Sequence, residues 1–178
     1  TLVRVENVIV LKSYAVSTAR NGSGERMGSE CTPRGRHVIR ARIGSGCEPG
    51  TVFVARRPTG ETWSPQLAQS EPDRDWILTR ILWLSGKQRG FNRLANVDTM
   101  RRYIYIHGTP YEEEIGSPVS HGCIRMRSED LVELFDLVDV GTPVTIDASH
   151  SSRVTSPLLS LSSASQISSK LTEFERCI

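Results

Sequence analysis

Short β-rich runs separated by turn residues recur along this chain, and they constrain its fold more than any other feature. The segments HVIRARIG at 37–44 and TVFVARR at 51–57 flank a Gly-Ser-Gly turn, which predicts a hairpin. Further strands are predicted at 75–86, which is rich in Trp, Ile and Leu, at 101–109, where Tyr, Ile and His alternate, and at 143–146. Together these runs predict a mostly β architecture.

One segment has helical periodicity instead. Leucine, phenylalanine and valine recur at helical spacing in SEDLVELFDLV at 128–138, and acidic residues occupy its first turn. Ser128 is predicted to be the N-cap. We therefore expect one helix, near residues 128–139, packed against the strands.

The two ends of the chain differ in character. Residues 2–17 are predicted to form a strand, so the start TLVRVENVIVLKSYAV is interpreted as structure rather than as a signal peptide. Residues 149–178 are rich in Ser with little apolar periodicity. We expect a single domain at 1–148 followed by a flexible tail.

Composition excludes several classes of protein. A net charge of +2 is too small to indicate a nucleic-acid partner, and no apolar run approaches the roughly 20 residues needed to span a bilayer. No GxxxxGK[ST] loop for nucleotide phosphates occurs. The four cysteines form neither a dense disulfide framework nor CxxC pairs, although an oxidising compartment would favour a bond between Cys31 and Cys47.

The segment SPVSHGCIRM at 117–126 carries the candidate chemistry. If it is extended, the side chains of His121, Cys123 and Arg125 alternate onto one face. Gly122 permits a close approach of the backbone, and consecutive N–H groups there are candidates for an oxyanion hole.

A base for the cysteine is predicted from a second strand. His107 ends the run at 101–109, so two adjacent strand ends would bring its imidazole to the Cys123 thiol. Such a pair would lower the thiol pKa and populate the thiolate, which predicts acyl transfer. Tyr103 and Tyr105 are expected to pack on the core or to line a cleft.

Other interpretations of these residues remain open. Cys123 alone is compatible with a small buried hydrophobic residue, and His107, His121 and Cys123 are an alternative set of zinc ligands. Arg125 is equally compatible with binding a substrate carboxylate and with pairing to an acidic neighbour. Residues 112–114, all Glu, are expected to form a solvated loop.

Several segments resemble the L,D-transpeptidase catalytic domain of the YkuD type. The segments that carry the resemblance are YIYIHGT at 103–109, SHGCIRM at 120–126, VGTPVTI at 140–146, YAVSTA at 14–19 and TPRG at 32–35. The resemblance spans roughly residues 5–147, and the Ser-rich tail has no counterpart in it.

The resemblance implies a β-sandwich-like, mostly β domain that remodels peptidoglycan without a cofactor or metal. Cys123 matches the family's nucleophile and His107 its general base or acid. The implied reaction is attack of the Cys123 thiolate on the carbonyl of the third residue of a tetrapeptide stem, with release of D-alanine and transfer of the acyl group to an acceptor amine. The acceptor is a second stem, a wall-attached protein, a D-amino acid or water. Water would make the chain an L,D-carboxypeptidase, and a non-catalytic wall-binding or metal-binding domain is the alternative from another class.

The resemblance also implies roles for neighbouring residues. Ser120, His121 and Gly122 match positions around the oxyanion hole and the cleft, and Arg125 matches an arginine found in many members where others have asparagine. The 12 residues between His107 and Ser120 are few for the family, which implies a shortened loop over the cleft. The expected setting is the bacterial periplasm or cell envelope, and the expected form is a monomer without a membrane span.

Overall fold

The computed structural model describes residues 12–147 of the protein, and within them the mostly β architecture is confirmed. The Ser-rich tail and the part of the predicted first strand before residue 12 lie outside the described residues. In chain order the elements are β1 (Gly35–Ile43), β2 (Thr51–Val54), β3 (Arg57–Thr62), α1 (Pro65–Ser70), β4 (Ile77–Gly86), a 3-10 turn (Ala95–Val97), β5 (Tyr105–Gly108), a second 3-10 turn (Glu112–Glu114), β6 (Ile124–Met126), α2 (Ser128–Leu137) and β7 (Pro143–Ile146).

The described strands form one sheet in the order β3-β2-β4-β1-β7, with β5 paired to β4 and β6 paired to β5. Among the strands of residues 12–147, β5 and β6 are the one pair that runs parallel. The predicted hairpin between β1 and β2 is wrong, because β1 pairs with β4 and β7 whereas β2 pairs with β3 and β4. The connection between β1 and β2, residues 44–50, contains three glycines with positive φ. The hairpin that does form joins β2 to β3 through a shorter, two-residue turn, Ala55–Arg56.

Strand β4 contains an irregularity that shapes the sheet. Its register shifts between Leu78 and Ile81, and Thr79 has a φ of 72°. A bulge of this kind bends the strand locally and increases its twist.

Alternation along the strands separates the core from the candidate site. The face covered by α2 carries the largest buried cluster, whose members include Leu82, Leu84, Ile104, Ile106, Ile124, Met126, Leu131 and Phe135. On the opposite face Phe53, Ile81 and Tyr105 pack with the partly buried Trp83 and Cys123. The alternation therefore places Cys123 on the face turned away from α2.

The predicted helix near residues 128–139 is confirmed as α2, but Ser128 is not its N-cap. Ser128 is the first helical residue, after Arg127 in the cap position. Its N–H donates to the Glu112 carboxylate at 2.9 Å, and its hydroxyl shares a 2.8 Å hydrogen bond with that of Thr79. A carboxylate at a helix N-terminus is favourable, so Glu112 supports α2 rather than lying in a wholly solvated loop.

The strand predicted across residues 2–17 is not formed between 12 and 16. Instead, Ser17 and Ala19 make isolated bridges to Arg125 and Ser120. Residues 12–147 contain no helix with the length and apolar character needed to cross a bilayer.

Candidate active site

Parallel pairing of β5 with β6 brings the two predicted strand ends together. Ile106 pairs with Ile124, and His107 with Arg125. Since paired residues of neighbouring strands share a face, His107 and Arg125 point the same way, and Cys123 lies two residues before Arg125 beside Tyr105. The structure therefore places His107, in β5, and Cys123, which directly precedes β6, on one face of the sheet.

Backbone groups of the β5 segment surround the Cys123 sulfur. The Tyr105 N–H donates to Sγ at 3.4 Å, and the thiol reaches the Tyr103 carbonyl oxygen at 3.5 Å. Burial raises the pKa of the Cys123 thiol to about 12, against a smaller opposing effect of the Tyr105 N–H. The expectation of a lowered thiol pKa is therefore wrong for the resting protein, because desolvation of a thiolate outweighs the nearby donors.

His107 is held as a neutral imidazole of one tautomer. Its Nδ1 lies 2.8 Å from the Gly108 carbonyl oxygen. Because a carbonyl only accepts, Nδ1 carries the proton and Nε2 keeps its lone pair. Burial lowers the pKa of His107 to about 4, with a smaller raising effect of the hydrogen bond to Gly108. The ring is thus uncharged at neutral pH, with one nitrogen able to accept a proton.

The turn before Cys123 is fixed by two buried hydroxyls. Ser120 Oγ donates to the Cys123 carbonyl at 2.6 Å and accepts from the Gly122 N–H at 3.2 Å. Thr32 Oγ1 donates to the Gly122 carbonyl at 3.1 Å and accepts from the Ala19 N–H at 2.9 Å. Thr32 belongs to the TPRG segment, and its contact with Gly122 was not predicted from the sequence.

Gly122 occupies a position that favours glycine. Its φ is 125°, and a Cβ there would lie 3.3 Å from both the Cys31 carbonyl oxygen and the Ile104 side chain. Its N–H is already taken by Ser120, whereas the Cys123 N–H makes no backbone hydrogen bond within the described residues. Of the Gly122 and Cys123 N–H groups, the Cys123 N–H is therefore the one left within the described residues as a candidate donor to an oxyanion.

The expectation that His121, Cys123 and Arg125 alternate along an extended segment is only partly met. Residues 121–123 form a bend, and β6 begins at Ile124. His121 is exposed, whereas Cys123 is partly buried and Arg125 is buried. The positive φ of Gly122 breaks the two-residue period, so His121 projects toward solvent instead of joining the other two.

Arg125 is buried and paired with an acidic residue that sequence reasoning missed. Its Nη2 donates to Asp75 Oδ1 at 2.9 Å, and only 7% of the residue is exposed. Its Nε has no hydrogen-bond partner within residues 12–147. Asp75 lies before β4, some 50 residues away in sequence, so no local pattern indicated the pair. Ser17 fixes the Arg125 backbone through two 2.9 Å hydrogen bonds.

The remaining cysteine and metal hypotheses have definite outcomes. Cys31 and Cys47 carry free thiols in the structure and do not pair with each other. Within the described chain, no group of three or more His, Cys, Asp or Glu side chains is arranged to hold a metal ion. The zinc set of His107, His121 and Cys123 therefore has no structural support, and exposed His121 points away from the other two.

A family model described as an L,D-transpeptidase catalytic domain matches residues 1–146. The match places the chain in the class of L,D-transpeptidase catalytic domains. Within that class, the chain belongs to the YkuD family.

Curated relatives match shorter stretches. The "Probable L,D-transpeptidase YbiS" of Escherichia coli K12 is 45% identical over 101 residues, which cover 53% of this chain and 30% of that protein. The "Probable L,D-transpeptidase ErfK/SrfK" of Salmonella typhimurium is 53% identical over 45 residues, covering 25% of this chain and 15% of that protein. The chain thus spans less than a third of the length of either relative.

Solved structures of L,D-transpeptidases also match this chain, at low identity. L,D-transpeptidase 3 from Mycobacterium tuberculosis is 19% identical, with a TM-score of 0.44 over 80% of this chain and 48% of that one. The L,D-transpeptidase from Mycobacterium smegmatis is 20% identical, with a TM-score of 0.43 over 78% of this chain and 49% of that one.

Proposed function

We propose that the chain is a peptidoglycan L,D-transpeptidase in which Cys123 is the nucleophile and His107 the general base and acid. The observation that supports this most is the shared sheet face of the two residues, with His107 Nε2 unprotonated and the Cys123 N–H unpaired within residues 12–147. Nucleophilic catalysis needs a base within reach and a donor for the developing oxyanion.

In the proposed reaction, proton transfer accompanies attack because both groups start neutral. His107 Nε2 takes the thiol proton as Sγ bonds to the carbonyl carbon of the third stem residue, and the Cys123 N–H donates to the oxyanion. The imidazolium then protonates the leaving amine, the C–N bond breaks, and D-alanine departs from a thioester. Nucleophilic attack of an acceptor amine on the thioester restores the thiol.

Supporting residues have distinct proposed roles. Ser120 and Gly122 hold the turn that presents the Cys123 N–H, while His121, exposed at the rim, contacts substrate. Arg125 binds the α-carboxylate of the leaving D-alanine, with its guanidinium exchanging Asp75 for the substrate. Its burial beside His107 and the absence of a hydrogen-bond partner for Nε within the described residues support this role.

The decisive experiment measures D-alanine release and covalent mass on the protein after incubation with purified disaccharide tetrapeptides. We expect release together with a thioester adduct on Cys123, and loss of both in Cys123→Ala. Cys31→Ala is the matched control, since it changes another thiol and keeps the backbone that contacts Gly122. Release that persists in Cys123→Ala would refute the proposal.

The acceptor is identified in the same reaction mixtures. If an amine is the natural acceptor, added stem peptide or D-amino acid should increase the yield of the amide product and decrease the yield of the hydrolysed tripeptide acid. A product distribution that never responds to added amine would indicate a carboxypeptidase with the same nucleophile. Peptidoglycan as partner, and the periplasm or cell envelope as location, follow from this substrate.

A further inference from the structure

The two-residue turn between β2 and β3 is built from residues that such a turn disfavours. Val54 pairs with Arg57, so Ala55 and Arg56 are its central residues, with φ of 48° and 67°. Hairpin turns with two positive φ values favour Asn-Gly, and a long side chain at the second position is uncommon. Strained non-glycine residues concentrate at functional sites, which directs attention to the Arg56 side chain.

The Arg56 guanidinium is held over an aromatic surface. Its central carbon lies 4.6 Å from the ring centre of Trp83 and 5.0 Å from that of Tyr103, and Nη1 donates to the Tyr105 hydroxyl at 3.0 Å. The Trp83 and Tyr103 rings stack at 6.3 Å with an interplanar angle of 27°. We call Arg56, Trp83, Tyr103 and Tyr105 the Arg56 platform.

The platform is continuous with the nucleophile. Tyr103, which itself has a φ of 56°, contributes the carbonyl and Tyr105 the N–H that contact Cys123 Sγ. The guanidinium lies at the hydroxyl end of the Tyr105 side chain, and the sulfur lies at its backbone end. One tyrosine side chain thus spans the distance between a fixed cation and the reacting sulfur.

The charge of Arg56 is not neutralised within the described residues. Arg74 and Arg125 each form an ion pair with a carboxylate, whereas no carboxylate of residues 12–147 lies within ion-pair distance of Arg56. Only one of its N–H groups is used, by the Tyr105 hydroxyl. A planar guanidinium with free donors binds a carboxylate through two parallel hydrogen bonds.

We propose that Arg56 is a specificity residue that binds a carboxylate at the far end of the side chain of the donor's third residue. The inference rests on the proposed function, since it assumes that the carbonyl of that residue is attacked by Cys123. The α-carboxylate of the departing D-alanine is only three bonds from that carbonyl carbon, too near to reach Arg56. A diamino dicarboxylic third residue carries a second carboxylate several bonds out, at a distance comparable to a tyrosine side chain.

The test compares two tetrapeptide donors that differ only in the third side chain, which ends in a carboxylate or in a carboxamide. D-alanine release is measured as kcat/KM without added acceptor, for the unchanged protein, Arg56→Gln, Arg56→Lys and Arg56→Gly. The glycine variant suits the left-handed backbone, so it removes the guanidinium without straining the turn. Arg57→Gln is the matched control, because Arg57 is the adjacent exposed residue.

We expect the unchanged protein and Arg57→Gln to prefer the carboxylate donor roughly tenfold, as loss of a charged hydrogen-bonded pair predicts. Arg56→Gln and Arg56→Gly should reduce that preference to within about twofold, and Arg56→Lys should keep part of it. Equal slowing with both donors, a preference that persists without Arg56, or no preference in the unchanged protein would overturn the inference. Absence of Cys123 acylation by either donor in the unchanged protein would instead refute the proposed function.

Discussion

Alkylation of Cys123 as a function of pH distinguishes a neutral resting thiol from a preformed thiolate. Burial raises its pKa to about 12 and lowers that of His107 to about 4, so neither group is charged at neutral pH. A free cysteine titrates near about 8.5. At a pH of about 7.5, the thiolate fraction is therefore on the order of a thousandfold smaller in the folded protein than in the unfolded chain.

The assay is the rate of iodoacetamide labelling of the Cys123 peptide, followed by mass spectrometry from a pH of about 6 to about 9. In the folded protein, the logarithm of the rate should rise by about one for each pH unit without reaching a plateau. In urea, labelling at a pH of about 7.5 should be on the order of a thousandfold faster. Limited access of iodoacetamide to the Cys123 sulfur would lower the labelling rate of the folded protein at every pH, but it would not change the slope of the logarithm of the rate against pH.

His107→Gln supplies the comparison that links the result to the mechanism. Because the resting imidazole is neutral, its removal should leave the pH slope of alkylation unchanged while abolishing acylation by peptide. A plateau in the unchanged protein below a pH of about 8, lost in His107→Gln, would show a thiolate–imidazolium pair and refute the reasoning.

Three further outcomes follow from the geometry. Gly122→Ala should lower the free energy of unfolding by about 1–3 kcal/mol and impair acylation, because its Cβ would meet close neighbours at a position with a positive φ. Gly116→Ala is the control, since Gly116 also has a positive φ but no atom lies near its added Cβ, and it should have the smaller effect in thermal unfolding. Thr32→Val should cost about 1–3 kcal/mol in urea unfolding because two buried backbone groups lose their partner, and Thr32→Ser should restore most of it. Burial lowers the pKa of both His37 and His107 to about 4, so the unfolded chain binds more protons than the folded protein between a pH of about 6.5 and about 4. Each imidazole should cost up to about 3 kcal/mol of the free energy of unfolding across that range, and His37→Gln should remove about half of this pH dependence in urea unfolding.

Strands β1, β2, β4, β5 and β7 and the main helix were predictable because their signals are local, whereas β3 was not predicted. Period-two alternation identified β5, and leucine spacing identified α2. The pairing of the strands was harder to predict from the sequence, because β1 and β2 are neighbours in sequence but are separated in the sheet by β4. Two short runs joined by glycines look alike whether they pair with each other or with a third strand.

The candidate site was likewise predictable from the sequence only in part. The two strand ends predicted that His107 and Cys123 would lie together, and the structure places both residues on one face of the sheet. The thiol pKa did not follow, because its direction depends on how much water the packed neighbours exclude. Asp75 and Thr32 were missed since each contacts the site from a distant part of the chain.

Those distant contacts also set the order in which the protein can assemble. Ser17 bonds to a backbone group 97 residues later, and Thr32 to one 90 residues later, and contacts of such long range form slowly because a large loop must close first. During synthesis the Cys123 turn has no fixed geometry until the chain has emerged past β6 and the early segment has returned to it. We therefore expect the surroundings of the nucleophile to form late in folding, so that a nascent chain would lack a complete reactive centre.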